Sequence, residues 1–223
     1  MQIDACIFDL DGVIVDTADF HFIAWQKLAR ALGSDLSEEQ NELLKGVSRR
    51  GSLERILKWA GKELTEEEIQ HWMAVKNNWY LDMVSGMGPD DVLPGARSFV
   101  ERLRTKGYKT AIGSSSKNTP GILKLVEMDD QFDAIVDGSM VKKGKPNPET
   151  FLLGAELMHV LPANTIVFED ALSGIKAAKA GGFVVIGVGD SPQLEGADLI
   201  IDSLKEIRIE EIRKQLDQLA SKV

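Results

Sequence analysis

Ile7-Phe8-Asp9-Leu10-Asp11-Gly12-Val13 is the stretch on which the reading of this chain turns. The residues leading into it, Ile3 to Phe8, are mostly apolar and suit a strand. That run ends in two carboxylates separated by one residue. On a continuing strand alternate side chains share a face, so Asp9 and Asp11 are expected to project together. Gly12 then permits a sharp departure. Two adjacent carboxylates raise each other's pKa unless a cation lies between them, and a hard, oxygen-seeking ion such as Mg²⁺ suits that place. An aspartate so placed can attack phosphorus and carry the phosphoryl group, with its neighbour as general acid and base. The plainer alternative is a strand end followed by an Asp-Gly turn, and the stretch by itself does not choose between them.

Outward from this strand the chain changes character twice. From about 17 to 87 the signals are helical throughout. Phe22, Trp25, Leu28, Ala29 and Leu32 recur at three- and four-residue steps in a helix predicted over 18–32, which Gly33 ends. Ser37 opens a short helix to about Lys45, and Gly46-Val47-Ser48 breaks it. A third helix is predicted from Gly51 to Ala60. Thr65 and Glu68 read as a capping box opening a fourth, to about Val84. After Gly86, Gly88 and Pro89, strands and helices alternate. Strand-like runs fall at 109–112, 134–136, 165–168, 183–188 and 199–201, with helical ones between them and a last helix from about Ile207. Such alternation predicts a doubly wound, Rossmann-like parallel sheet with helices on both faces, the α/β class. Residues 1–16 and 88–223 are expected to form this core, and 17–87 a helical-bundle cap inserted after the first strand.

The bulk numbers exclude several classes. The 223 residues suffice for one large domain or one with an insertion. At 43% hydrophobic the chain can bury a core. With 26 basic and 35 acidic residues the net charge is −9, which argues against nucleic-acid or anionic-membrane binding by the whole surface, though not against an anionic substrate in a cleft. Cys6 is the one cysteine, so no internal disulfide forms, and it reads as a small core residue. No apolar run reaches membrane-spanning length. The start, Met-Gln-Ile-Asp, lacks a basic region before an apolar stretch, so no signal peptide is expected and the expected location is cytoplasmic.

In doubly wound sheets ligands gather beyond the carboxyl ends of the strands. The second strand is followed there by Ser114-Ser115-Ser116-Lys117-Asn118, a later connection by Lys145-Pro146, and the strand 165–168 by Glu169-Asp170. Each has an ordinary explanation: a polar turn with Asn118 capping a helix and Pro120 just inside it, a solvated lysine, a pair of surface acids capping the next helix. Each also has a chemical one. A capped helix start binds anions, a lysine offsets charge on a transferring phosphoryl group, and an acidic pair holds a cation. Their order and shared edge favour assembly of one site.

Phe8-Asp9-Leu10-Asp11-Gly12-Val13, Ser114, Lys145-Pro146 and Glu169-Asp170 together resemble the four motifs of the haloacid dehalogenase superfamily of phosphotransferases. The likeness extends into the helical region through Thr17, His21, Trp25, Leu44-Lys45-Gly46-Val47-Ser48-Arg49, Ser52-Leu53 and Lys76-Asn77, which resemble that superfamily's sugar-phosphate mutases. The resemblance implies that Asp9 is the nucleophile and a Mg²⁺ ligand, and that Asp11 is general acid and base with its backbone carbonyl on the metal. It makes Asp170 a further ligand and Glu169 a ligand or a group behind it. Ser114 and Lys145 would hold the transferring phosphoryl group. Arg49 with Ser116, Lys117 and Asn118 would grip the distant phosphate, Gly46 and Val47 would line the sugar pocket, and Thr17, His21 and Lys76 would serve closure and orientation. Lys45, Ser52 and Ser115 fall in the same substrate-binding stretches. An arginine fork suits a distant phosphate, but Arg50 competes for that role, and His21 and Trp25, one helical turn apart, suit bundle packing equally. Phe168, Gly144 and Ser115 depart from the pattern, standing where leucine, serine and alanine are common.

The implied activity interconverts β-D-glucose 1-phosphate and glucose 6-phosphate through a bisphosphate and an aspartyl phosphate. The partner is a small phosphorylated sugar, with no nucleic acid or membrane, and the chain is expected to be a monomer. A sugar-phosphate phosphatase shares every core motif. A non-catalytic phosphosugar-binding regulator has no need of a nucleophile, against which Asp9, Asp11, Lys145 and Asp170 all speak.

Overall fold

The computed structural model describes residues 2–190 and 194–221. Its centre is a six-stranded sheet in the order β3-β2-β1-β4-β5-β6, formed by β1 (Ala5–Phe8), β2 (Lys109–Gly113), β3 (Ala134–Val136), β4 (Thr165–Glu169), β5 (Val184–Val188) and β6 (Leu199–Ile201). All neighbouring strands are parallel. This is the expected Rossmann-like architecture. β1 lies between β2 and β4, with Phe8 beside Ile112 and Phe168. The residues that follow these three strands therefore emerge side by side at one edge.

Both faces of β1 are buried, which explains why its sequence is apolar without alternation. On one face Phe8 stacks on Phe168 at 4.9 Å, and both meet Phe99 edge-on. Phe168 thus extends an aromatic cluster. On the other face Ile7 and Val167 pack with Phe151 and Ala155. Helices α5 (Ala96–Thr105), α6 (Thr119–Leu125), α7 (Glu149–Met158), α8 (Leu172–Ala180) and α9 (Ile209–Ala220) intervene or follow.

Between β1 and α5 stand α1 (Ala18–Ala31), α2 (Glu38–Glu42), α3 (Arg49–Ala60) and α4 (Glu66–Val84). Trp25, Leu28, Leu32, Leu53 and Ile56 build a core there distinct from the two sheet cores. Ala24, Tyr80 and Val84, by contrast, pack with the sheet's aromatic face. Ser37 and Thr65 each form the capping box that their spacing predicts. The two passages joining these helices to the sheet pair with each other: Val15 bridges Val92 antiparallel, and Leu93 N–H donates to the Ile14 carbonyl at 2.8 Å.

Three local expectations need correction. β1 stops at Phe8, so Asp9 and Asp11 are not alternate residues of one strand. Asp9 N–H still donates to the Phe168 carbonyl, but Leu10 begins a turn that accepts from Val13, Ile14 and Val15 N–H. α3 begins at Arg49 rather than Gly51, because Ser48 caps it by accepting from Gly51 N–H at 3.2 Å. Asn118 does not cap α6 with its side chain. That amide instead donates to Asn77 Oδ1 at 2.9 Å.

Candidate active site

The floor of the site is a buried ion cluster at the carboxyl edge. The Lys145 ammonium is fully buried and donates to Asp9 Oδ1 at 2.6 Å and Glu169 Oε1 at 2.7 Å. Burial opposes its charge, but Asp9 and Glu169 outweigh that and hold its pKa above the ordinary lysine value. The other Glu169 oxygen accepts Ala171 N–H at 2.7 Å. Glu169 is therefore no surface acid, and neither is Lys145 a solvated lysine. Gly174 is required beside them, since a Cβ there would lie 1.6 Å from Glu169 Oε1.

Asp9, Glu169 and Asp170 each offer an oxygen within 4.8 Å of the others'. Burial, then Glu169 and Asp9, push the Asp170 carboxyl well up. Burial pushes Glu169 up as well, against Lys145. One lysine cannot neutralise three such carboxylates, so a cation is the natural occupant. An all-oxygen set of this kind fits a hard divalent ion. The carboxylates grouped closely enough to share a cation are those of Asp9, Glu169 and Asp170, and the Asp11 carboxylate is not among them. Gly12, at φ +83°, completes the packing, because a Cβ there would meet Asp170 Oδ2 at 2.2 Å.

The Asp11 carboxylate turns the other way. It accepts the Thr17 hydroxyl and lies 4.0 Å from His21 Nε2. Burial, with Asp9 adding, pushes Asp11 up to about 6, while Thr17, Lys145 and Lys76 pull it down. Lys76 is almost wholly buried, with Nζ 2.8 Å from His21 Nδ1 and over the rings of Trp25 and Tyr80 at 4.4 and 4.9 Å. Burial and Arg49 lower its pKa well below that of a free lysine. Burial, Lys76 and Arg49 likewise keep His21 neutral to well below its usual value.

Above the floor opens a cleft of about 510 Å³ between the sheet edge and the helices. Asp9, Asp11 and Asp170 line it, with Ser114 to Asn118 on the sheet side and His21, Trp25, Lys45 to Arg49, Ser52 and Lys76 on the helical side. Thr17, Lys145 and Glu169 stand behind this lining, Thr17 against Asp11 and Lys145 between Asp9 and Glu169. Ser114 Oγ accepts Ser116 N–H at 3.0 Å, which curls the loop after β2. Lys45 pairs with Glu42 at 2.7 Å. Ser115 Oγ donates to the Gly46 carbonyl at 2.8 Å, so its hydroxyl is turned to the backbone of the helical side. Trp25 is 4% exposed and belongs to the helical core as much as to the cleft wall.

Arg49 and Arg50 differ in their partners. Arg50 forks onto Glu66 at 2.6 and 2.7 Å and reaches Glu54 at 2.8 Å. Arg49 is half-buried, and among the described residues no carboxylate pairs with it. Both border the cleft, and of the two it is Arg49 whose guanidinium carries no carboxylate. Tyr80 and Ser173 are site neighbours that no signal in the sequence marked, and Asn77 stood there only within the resemblance. Tyr80 stacks on His21 at 4.2 Å, and Ser173 Oγ donates to the Lys45 carbonyl at 2.9 Å.

The family model of haloacid dehalogenase-like hydrolases matches residues 3–182. The chain is 40% identical over 216 residues to a Bacillus subtilis protein named beta-phosphoglucomutase, covering 96% of each. A crystal structure of beta-phosphoglucomutase from Clostridium difficile is 38% identical, covers 99% of this chain and 100% of that one, and superposes with a TM-score of 0.94. A phosphorylated carbohydrates phosphatase of Thermotoga maritima is 31% identical over 182 residues, 80% of this chain and 82% of that one.

Proposed function

The chain belongs to the haloacid dehalogenase-like hydrolases, and from that premise we propose that it is a phosphotransferase interconverting β-D-glucose 1-phosphate and glucose 6-phosphate. The observation that carries the reading is the arrangement of the two ends of the cleft. A carboxylate ion-paired to a buried lysine stands at the floor, and an arginine without a carboxylate partner stands at the helical wall. A mutase working through a bisphosphate needs both, because each orientation of the intermediate leaves one phosphate at the floor and the other far off.

The chemistry follows from the residues. Lys145 engages one oxygen of Asp9 and so orients the other toward phosphorus. Attack forms the Asp9 O–P bond and breaks the P–O bond to the sugar, whose oxygen takes a proton from Asp11. In the reverse half-step the accepting hydroxyl returns a proton to Asp11 as it attacks phosphorus and releases Asp9. A carboxyl near 6 can serve in both directions at neutral pH. Thr17 holds Asp11 in place, with His21 beside it. Ser114 and Lys145 would meet charge gathering on the transferring group. Asp9, Glu169 and Asp170, with the Asp11 backbone carbonyl, would hold Mg²⁺. When bound, that ion offsets negative charge at the reacting phosphoryl group. Arg49, with Ser116, Lys117 and Asn118, would take the distant phosphate. Gly46 and Val47 would face the sugar, and residues 17–87 would act as a cap over the core of residues 1–16 and 88–223.

The test is a panel of sugar phosphates with Mg²⁺, read for isomerised product and for free phosphate. Isomerisation of β-glucose 1-phosphate with little phosphate release is the expected result. Stoichiometric phosphate release with no isomer would establish a phosphatase instead.

A further inference from the structure

Two serines of the sheet domain reach across the cleft to consecutive carbonyls of one loop. Ser115 Oγ donates to the Gly46 carbonyl at 2.8 Å, and Ser173 Oγ donates to the Lys45 carbonyl at 2.9 Å. Ser115 follows β2 and Ser173 lies in the first turn of α8, after β4. Those two strands flank β1. The loop is therefore tied down on both sides of Asp9.

The loop is shaped to receive these bonds. It is the turn after α2, where Lys45 and Val47 N–H donate back to Glu42 and Leu44. Among the described residues no backbone N–H is bonded to the carbonyls of Lys45 or Gly46, so they need partners from elsewhere. Gly46 has φ +68°, and a Cβ there would lie 2.4 Å from Ser173 Oγ. On the sheet side, a Cβ on Gly138 would lie 2.2 Å from the Ser115 carbonyl oxygen, so Gly138 lets that segment seat closely. The glycine at each contact thus permits an approach that any other residue would hold apart.

We propose that Ser115 and Ser173 are positioning residues that latch the 45–47 loop over Asp9, favouring a closed cleft and phosphoryl transfer to a sugar over transfer to water. The proposal rests on the functional reading above for its kinetic consequence, but the latch itself is a property of the fold. Neither hydroxyl needs to touch the reacting atoms. Each is given to a backbone carbonyl that water satisfies as soon as the cleft opens, so the bonds bias closure modestly instead of locking it. Binding energy from the substrate is then not consumed in ordering the loop.

The experiment uses the full chain with Lys58→Cys and Glu101→Cys, one exposed position on each side of the cleft, carrying a pair of distance probes. Cys6 is buried and stays unlabelled. Distances in substrate-free protein are compared with those in Ser115→Ala, Ser173→Ala and the double variant, alongside the ratio of isomer formed to phosphate released from β-glucose 1-phosphate. The expected result is a longer mean distance in each single variant and a longer one still in the double. The ratio should fall on the order of tenfold in the double variant, the loss two modest hydrogen bonds imply. Distances unchanged in the variants would overturn the proposal, as would a ratio unchanged while distances lengthen. If the double variant fails to fold, the single variants decide by the same readouts. If the parent protein forms no isomer at all, the mutase reading fails while the distance comparison still decides the latch.

Discussion

At the scale of single residues the site is governed by unequal burial of like groups. Asp9 and Asp11 lie two positions apart, yet one pairs with a buried lysine and the other accepts a hydrogen bond from a threonine. This separates a nucleophile from an acid–base group. Asp9→Asn should leave the fold intact and abolish turnover, since the amide can neither attack phosphorus nor bind a cation well. Residual isomerisation above about one part in a thousand of the parent rate, measured at saturating substrate, would contradict the covalent route. Lys145→Met acts differently. It leaves Asp9 and Glu169 as buried carboxylates without their counter-charge. Such removal of one partner costs about 3–5 kcal/mol, so a large drop in the unfolding midpoint in urea should accompany the loss of activity.

At the scale of elements, the start of α3 carries two arginines that both border the cleft but differ in their partners. Arg50 is held by Glu54 and Glu66, and Arg49 has no carboxylate partner among the described residues. Arg49→Ala should lower mutase kcat/KM by about two orders of magnitude or more, the scale of a lost desolvated phosphate contact. Release of phosphate from the aspartyl phosphate should fall far less, since water needs no distant grip. Arg50→Ala should leave both rates near the parent values. Equal losses in the two variants, measured by coupled assay, would assign Arg49 to support of the helix. The capping box at Thr65 is a purely structural device of the same region. Thr65→Ala should cost about 1 kcal/mol of stability, visible in denaturant melts, with kinetics unchanged.

At the scale of the whole molecule, the acid cluster couples stability to pH and to cations. Asp11, Glu169 and Asp170 all have pKa values above those of free carboxyls, Asp11 at about 6. Their protonated forms fit the fold better than their charged forms. The stability they contribute is full below the ordinary carboxyl pKa of about 4 and is lost as pH rises through the raised values. Chelated protein should therefore melt at a lower temperature at pH 8 than at pH 5. Adding Mg²⁺ should raise the midpoint more at pH 8 than at pH 5, and should restore isomerisation abolished by chelator. A Mg²⁺ shift equal at both pH values, by calorimetry, would show that the cluster does not bind the ion as charged carboxylates.

The sequence alone determined the class of fold, because strands buried on both faces and helices of regular spacing leave their periodicity in the chain. It also marked Asp9, Ser114, Lys145, Glu169 and Asp170, since a doubly wound sheet delivers whatever follows its strands to one edge. Capping at Ser37 and Thr65 was legible for a similar reason, being a contact over three residues. What only the tertiary structure decided involves residues far apart in the chain. The carboxylate grouped with those of Asp9 and Asp170 is that of Glu169 and not that of Asp11, because β1 ends at Phe8 and the chain turns before the Asp11 side chain can share its face. Arg49 was separated from Arg50 by Glu66, sixteen residues on. Asn118 was diverted from its helix to Asn77, and Ser115 and Ser173 found the carbonyls of Gly46 and Lys45. A hydroxyl or amide has no intrinsic preference among such partners, so its role is set by which backbone the folded core brings within 3 Å of it.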